Sequence, residues 1–257
     1  MAISGFDPNL LAAVPKTRKT LEIKQLTVSG SESVSRMRPI AWGSLGNQPG
    51  AHFYIRKWHI YITDMVALPS LCEKLARLHG GHTSPDGRFG FHCATYIGDM
   101  PQDNGWTDTW EAFFAQVLRR VLQLRDEQEG PDERLDALLP PALFDKVIPR
   151  LLRGLETDGR RVGPVLLHGN LWFGNCAVGP GTGDVLVYGA AAFYGHNDLG
   201  SWRQKWNRYR DGDPFEAYHR HIPRSEPVED YDDRSTLYAL KFHLHPSVLF
   251  PRKNLEM

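Results

Sequence analysis

Leu166-Leu167-His168-Gly169-Asn170-Leu171-Trp172-Phe173-Gly174-Asn175-Cys176 is the most informative segment of the chain. The apolar run 165–167 has the length of a short buried strand. A second apolar run, 185–188, follows a glycine-rich turn at 179–183, so the two predict strands on either side of a tight connection. The polar text His168 to Asn175 is then a loop leaving a buried strand. Such loops carry function because a rigid scaffold fixes where their side chains stand. Asn170 and Asn175 are both carboxamides, which hydrogen bond well but take no proton at neutral pH.

Outward from this loop, helical periodicity dominates. Leu68, Leu71, Leu75 and Leu78 mark one face of a helix, with Ser70 and Glu73 as a capping box and Gly80-Gly81 as its end. Asp108 opens a longer helix with Trp110, Phe113, Phe114, Val117, Leu118, Val121 and Leu122 on one stripe, stopped by Gly130-Pro131. Pro140-Pro141 begins a third, with Leu143, Val147, Ile148, Leu151 and Leu152 inward. Leu199, Trp202, Trp206 and Tyr209 suggest a fourth; Leu237, Leu240 and Leu244 suggest a last one, broken near Pro246. Toward the amino terminus the pattern predicts a strand near 21–28, a Gly- and Pro-rich loop over 36–50, a strand at 51–55 and its continuation or exit at 58–63. No internal repeat is present.

The chain has 257 residues, enough for one large domain or two lobes. Thirty basic and thirty acidic residues cancel, which argues against nucleic acid or a membrane surface as partner. Cys72, Cys93 and Cys176 are widely spaced and odd in number, as expected of reduced thiols in a cytoplasmic protein. No basic and apolar leader and no run near the length of a membrane span is expected. His219, His221, His243 and His245 lack partners at ligand spacing and are expected in surface or core rather than around a metal.

Five blocks, in order, resemble the fructosamine/ketosamine kinases: Phe89-Gly90-Phe91-His92; the run Trp106, Trp110, Phe113-Phe114; Phe144 to Leu152, in the manner of fungal members; Leu167 to Trp172; and Val187 to Ala190 with Phe193-Tyr194-Gly195-His196. The resemblance implies an α+β, protein-kinase-like fold of the aminoglycoside phosphotransferase type. It implies a reduced sheet lobe and hinge over 1–63 and a mainly helical large lobe over 64–257. It also marks departures. The family's catalytic Asp falls on Asn170 and its metal-binding Asp on Gly189. No G-x-G-x-x-G precedes the hinge-like strand 52–58, and Lys24 with Glu32 is a poor counterpart of the lysine–glutamate pair that kinases use.

Three functions compete on these residues. The first is a repurposed protein that has lost ATP-dependent phosphoryl transfer, needs no cofactor or metal, and holds a small organic ligand in the inter-lobe cleft. In it His168, Asn170 and His196 are the candidate catalytic groups, and Trp172, Asn175, Tyr194 and Asp198 the candidate binding groups. Metal-free isomerisation, cyclisation or dehydration would need only an imidazole near neutrality. The second is a pseudokinase that acts through protein partners. The third is a residual ketosamine kinase in which Asp184 or Asp198 replaces a lost carboxylate.

Overall fold

The computed structural model describes residues 39–44, 52–56, 66–133, 142–179, 183–200 and 212–250. The expected strand at 21–28, Lys24, Glu32, segment 58–63 and the helix through Trp202, Trp206 and Tyr209 lie outside the described residues. The chain forms two compact units, Met1–His59 and Ile60–Met257. The first unit contains β1 (Pro39–Ser44) and β2 (His52–Arg56), an antiparallel pair. The expected loop over 36–50 is therefore corrected at Pro39–Ser44, which is strand; a Pro at a strand start removes no donor that the ladder needs.

In the second unit α1 (Leu68–Gly81) buries Leu68, Leu71, Leu75 and Leu78, the face that periodicity picks out. Its capping box is not formed. The helix already runs from Leu68, Ala67 is the N-cap without a side-chain bond, and Pro69 in the first turn needs no amide partner. The strands β3 (Tyr96–Ile97) and β4 (Met100–Pro101) make a short hairpin. Next comes α2 (Trp110–Glu129), which starts one residue later than expected: Thr109, not Asp108, caps it through the amide of Ala112. Its stripe is core, with Trp110, Phe113, Phe114 and Leu118 almost wholly buried.

The third helical segment is irregular. Leu143–Val147 is a π-turn that continues into α3 (Ile148–Leu152). The extra residue of a π-turn rotates the following positions. Val147, expected inward, is 40% exposed, while Ile148, Leu151 and Leu152 are buried. Later elements are α4 (Pro214–His219) and α5 (Tyr231–Leu249). Here α5 runs through Pro246 instead of breaking there, and the amide of Phe250 still bonds to the Pro246 carbonyl. Among the described residues, no helix is long and apolar enough to cross a membrane.

Two small antiparallel ladders position the candidate site. The strand β5 (Val165–Leu167) pairs with β8 (Phe193–Gly195), and β6 (Cys176–Val178) pairs with β7 (Val185–Val187). The expected strands at 165–167 and 185–188 are thus present. Backbone bonds extend the first ladder on both sides, from Leu166 to His82 and between Gly90 and Tyr194. Another, from the Tyr188 amide to the Asn175 carbonyl, continues the second. Together they hold the loop 168–175 against 188–191.

Candidate functional site

The loop begins at Gly169, whose φ is +74°. A Cβ there would stand 1.9 Å from the Ala191 carbonyl oxygen, so only glycine allows the two loops to close. The Ala191 amide, in turn, donates to the His168 carbonyl at 2.9 Å. His168 is buried, and its Nε2 faces the Tyr188 carbonyl at 3.1 Å. A carbonyl only accepts, so Nε2 carries the proton. The Nδ1 atom accepts the Asn170 amide at 3.4 Å. Burial pushes the His168 imidazole down to about 4, against a smaller opposing effect of the Tyr188 carbonyl. It is neutral at pH 7, with both nitrogens engaged.

Asn170 Nδ2 donates to the Gly189 carbonyl at 3.2 Å, and Asn175 Nδ2 donates to the Asn170 carbonyl at 2.7 Å. Asn175 Oδ1 points the other way: a Cβ added at Gly189 would meet it at 2.9 Å. Gly189 itself has φ +68°. His168, Asn170, Asn175, Tyr188 and Gly189 are therefore one hydrogen-bonded cluster at the mouths of two ladders. Trp172 borders it. Its indole lies over Gly174, where a Cβ would stand 2.4 Å from the ring, and meets Phe173 edge-on at 5.0 Å. The residue is partly buried.

The remaining expected site residues belong to other clusters. Tyr194 stacks on Trp106 at 6.2 Å and 22°, with the Arg88 guanidinium over the same indole at 5.4 Å. His196 is fully buried among aromatic side chains of α2 and α5. The Tyr238 hydroxyl accepts from Trp110 Nε1 at 2.7 Å and is hydrogen-bonded to His196 Nδ1 at 2.8 Å. His196 Nε2 then faces Ser225 Oγ at 2.8 Å. Burial pushes this imidazole down to about 4 as well; Asp198 opposes that effect, and Arg234 adds to it. Asp198 lies 3.5 Å from His196 and 4.0 Å from Arg234. The seven expected site residues thus divide into three groups, and only His168, Asn170, Trp172 and Asn175 share the loop. Both ring nitrogens of His168 and of His196 have hydrogen-bond partners within the protein. Asp184 stands at an exposed turn before β7, closed by the Gly179 amide on its carbonyl.

Could this loop hold magnesium? Its side-chain donors are the neutral carboxamides of Asn170 and Asn175, with Gly189 supplying a carbonyl. Magnesium favours anionic oxygen. Among the described residues no three His, Cys, Asp or Glu side chains gather around one point. The donor set does not fit the ion. A separate cavity of about 440 Å³ lies between the start of α2 and segment 144–157, lined by Thr109, Glu111, Arg119, Phe144, Arg153 and Glu156 among others. None of the seven expected residues lines it.

The sequence named neither Ala191 nor Gln102, and it placed Tyr188 and Trp106 in family blocks without giving them a place beside the loop. Tyr188 and Ala191 act through backbone groups and leave no side-chain signature. Gln102 and Trp106 come from a loop whose approach to β8 depends on the Gly90–Tyr194 bridge.

A strand-exit loop of His-Gly-x-Leu-Trp with an Asn five residues on is set between two antiparallel ladders and beside helices, the arrangement expected of a kinase-like fold. The sequence model of the fructosamine kinase family matches residues 18–257, and the chain belongs to that family. A probable ketoamine kinase of Synechocystis is 32% identical over 227 residues, covering 87% of this chain and 70% of its own. The protein-ribulosamine 3-kinase, chloroplastic, of rice is 29% identical over 184 residues, covering 70% of this chain and 49% of its own. The chain thus spans about half the length of the rice protein. A crystal structure of a putative fructosamine-3-kinase from Haemophilus somnus superposes with a TM-score of 0.67 at 21% identity, over 86% of this chain and 68% of that one. That likeness establishes a shared fold.

Proposed function

We propose that this chain is a fructosamine kinase family member that binds a small hydroxylated organic molecule, in the first instance a ketosamine, without transferring phosphate to it from ATP. One observation carries the reading. Among the described residues, the polar groups that meet at the loop are two carboxamides, backbone carbonyls and a neutral, fully bonded imidazole. A phosphotransferase needs a group that accepts the substrate hydroxyl's proton and anionic oxygens that hold magnesium. If the family's two carboxylates fall on Asn170 and Gly189, neither requirement is met here. Losses of this kind cost several powers of ten in rate, each about 1.4 kcal/mol.

What is left suits binding. Carboxamides both donate to and accept from hydroxyl groups, and the partly buried Trp172 beside them is an aromatic of the kind that packs against sugar rings. In this reading His168 and His196 are positioning residues. His168 holds the Tyr188 carbonyl and the Asn170 amide, and His196 holds Tyr238 of α5 and Ser225. Because the ring nitrogens of both already have partners within the protein, this reading gives them no proton to move and rests on binding alone.

The test is calorimetric titration of the whole chain with a fructosamine and with a ribulosamine, with and without millimolar ATP and magnesium. Saturable ketosamine binding that ATP–magnesium leaves unchanged, and that Trp172→Ala weakens, is the expected result. Micromolar affinity for ATP–magnesium, or ketosamine binding that requires it, would overturn the reading in favour of a residual kinase.

A further inference from the structure

Lys241 stands in the middle of α5 with 1% of its surface exposed. Its Nζ donates to Gln102 Oε1 at 3.1 Å and lies 5.0 and 5.6 Å from the ring centres of Phe242 and Phe193. Burial alone pushes its amine down to about 7, and no carboxylate among the described residues offsets that effect. A methionine would fill the same apolar volume without burying a charge, a substitution that normally favours stability. The amine therefore has a use other than packing.

That use is visible in what Gln102 does with its other end. Gln102 is itself buried. Its Nε2 donates to the Ala191 carbonyl at 2.8 Å and to Thr95 Oγ1 at 3.0 Å. The Ala191 carbonyl is the atom pressed against Gly169, and the Ala191 amide holds the His168 carbonyl. Three hydrogen bonds in series thus join a core amine to the loop that carries Asn170.

We propose that Lys241 is a positioning residue for the paired loops 168–170 and 189–191, and that gain or loss of its proton changes how firmly Gln102 holds them. An ammonium makes a charge-assisted bond to Gln102 Oε1 and polarises the carboxamide, which strengthens the bond its Nε2 makes to Ala191. A neutral amine makes a weaker donor and leaves the carboxamide less constrained. The groups facing Lys241 do not titrate in the same range. On its own helix, burial and Lys241 itself hold His245 well below the usual imidazole range. From β8 it meets Phe193 and from the segment after β4 it meets Gln102, neither of which ionises. The importance of this relay for binding rests on the proposed function; the relay itself does not.

The experiment is a ligand-free pH titration from 5.5 to 9 of the ¹⁵N-labelled chain, following the backbone amides of Gly169, Asn170 and Ala191 with the ¹³Cε of Lys241. In the natural chain the loop amides should shift with the midpoint of the Lys241 ¹³Cε curve, near 7. Lys241→Met should abolish that component while leaving shifts due to exposed histidines in place. Gln102→Leu is the second variant: Lys241 should still titrate, but the loop amides should no longer follow. Loop amides that titrate unchanged in either variant, or that stay still in the natural chain, would overturn the proposal. Because no ligand is used, a failed ketosamine titration and a failed loop titration are separate results.

Discussion

Asn170 shows why a residue's identity has to be read together with its partners. Its Nδ2 donates to the Gly189 carbonyl at 3.2 Å. A carboxylate in the same rotamer would set oxygen against oxygen, so an Asp must turn away and lose the bond. Asn170→Asp should therefore cost about 1 kcal/mol of stability, measured by urea unfolding, and should produce no phosphoryl transfer on its own. Gly169→Ala is a stronger test of the loop's construction. The added carbon would stand 1.9 Å from the Ala191 oxygen at a φ of +74°. The backbone conformation alone costs about 1–2 kcal/mol, and the overlap adds to it. A urea midpoint within error of the natural chain would mean that the two loops do not close as described. At this scale the His-Gly-Asn-Leu-Trp text was legible from sequence, because strand-exit position and residue type are both local. The neutral, fully bonded state of His168 was not, since its partner is a backbone carbonyl twenty positions away.

Among the elements, helices were read more faithfully than their ends. Apolar spacing located α1, α2 and α5 because burying one stripe dominates helix stability in a protein. Caps are decided by weaker, competing bonds. Thr109 rather than Asp108 caps α2, and the next amide, Trp110, is held by Glu156 Oε2 at 2.8 Å, a partner from another segment. The packing of α2 on α5 is pinned by the Tyr238 hydroxyl, shared between Trp110 Nε1 and His196 Nδ1. Tyr238→Phe strands a buried indole N–H and leaves an imidazole nitrogen unpaired. A loss of roughly 2–4 kcal/mol in unfolding free energy is expected, with the near-ultraviolet circular dichroism of the tryptophans altered. A loss below about 0.5 kcal/mol would place the hydroxyl outside the core network.

For the whole molecule, buried titratable groups set the response to pH. Burial holds His79 at about 3 and His168 and His196 at about 4, below the ordinary 6.5. In the unfolded chain each takes up a proton as pH falls through 6.5, while the folded chain does so only near 3 to 4. The unfolded state then binds more protons, so stability is full above about 6.5 and falls on acidification, by up to about 1.4 kcal/mol per pH unit for each histidine. Lys241 acts in the same direction higher up. Its folded amine loses its proton near 7 and its unfolded amine near 10.5, so stability rises with pH across that window. Urea midpoints from pH 4.5 to 9 should climb; a flat profile between 4.5 and 6.5 would show that these imidazoles are not held neutral. A single-turnover assay decides whether the Asn170 loop transfers phosphate. Excess protein is mixed with a fructosamine or ribulosamine, magnesium and γ-labelled ATP, and the organic product is counted for label. The prediction is no transfer above a protein-free control, for the natural chain and for Asn170→Asp alike. Stoichiometric labelling of the ketosamine by the natural chain would contradict it.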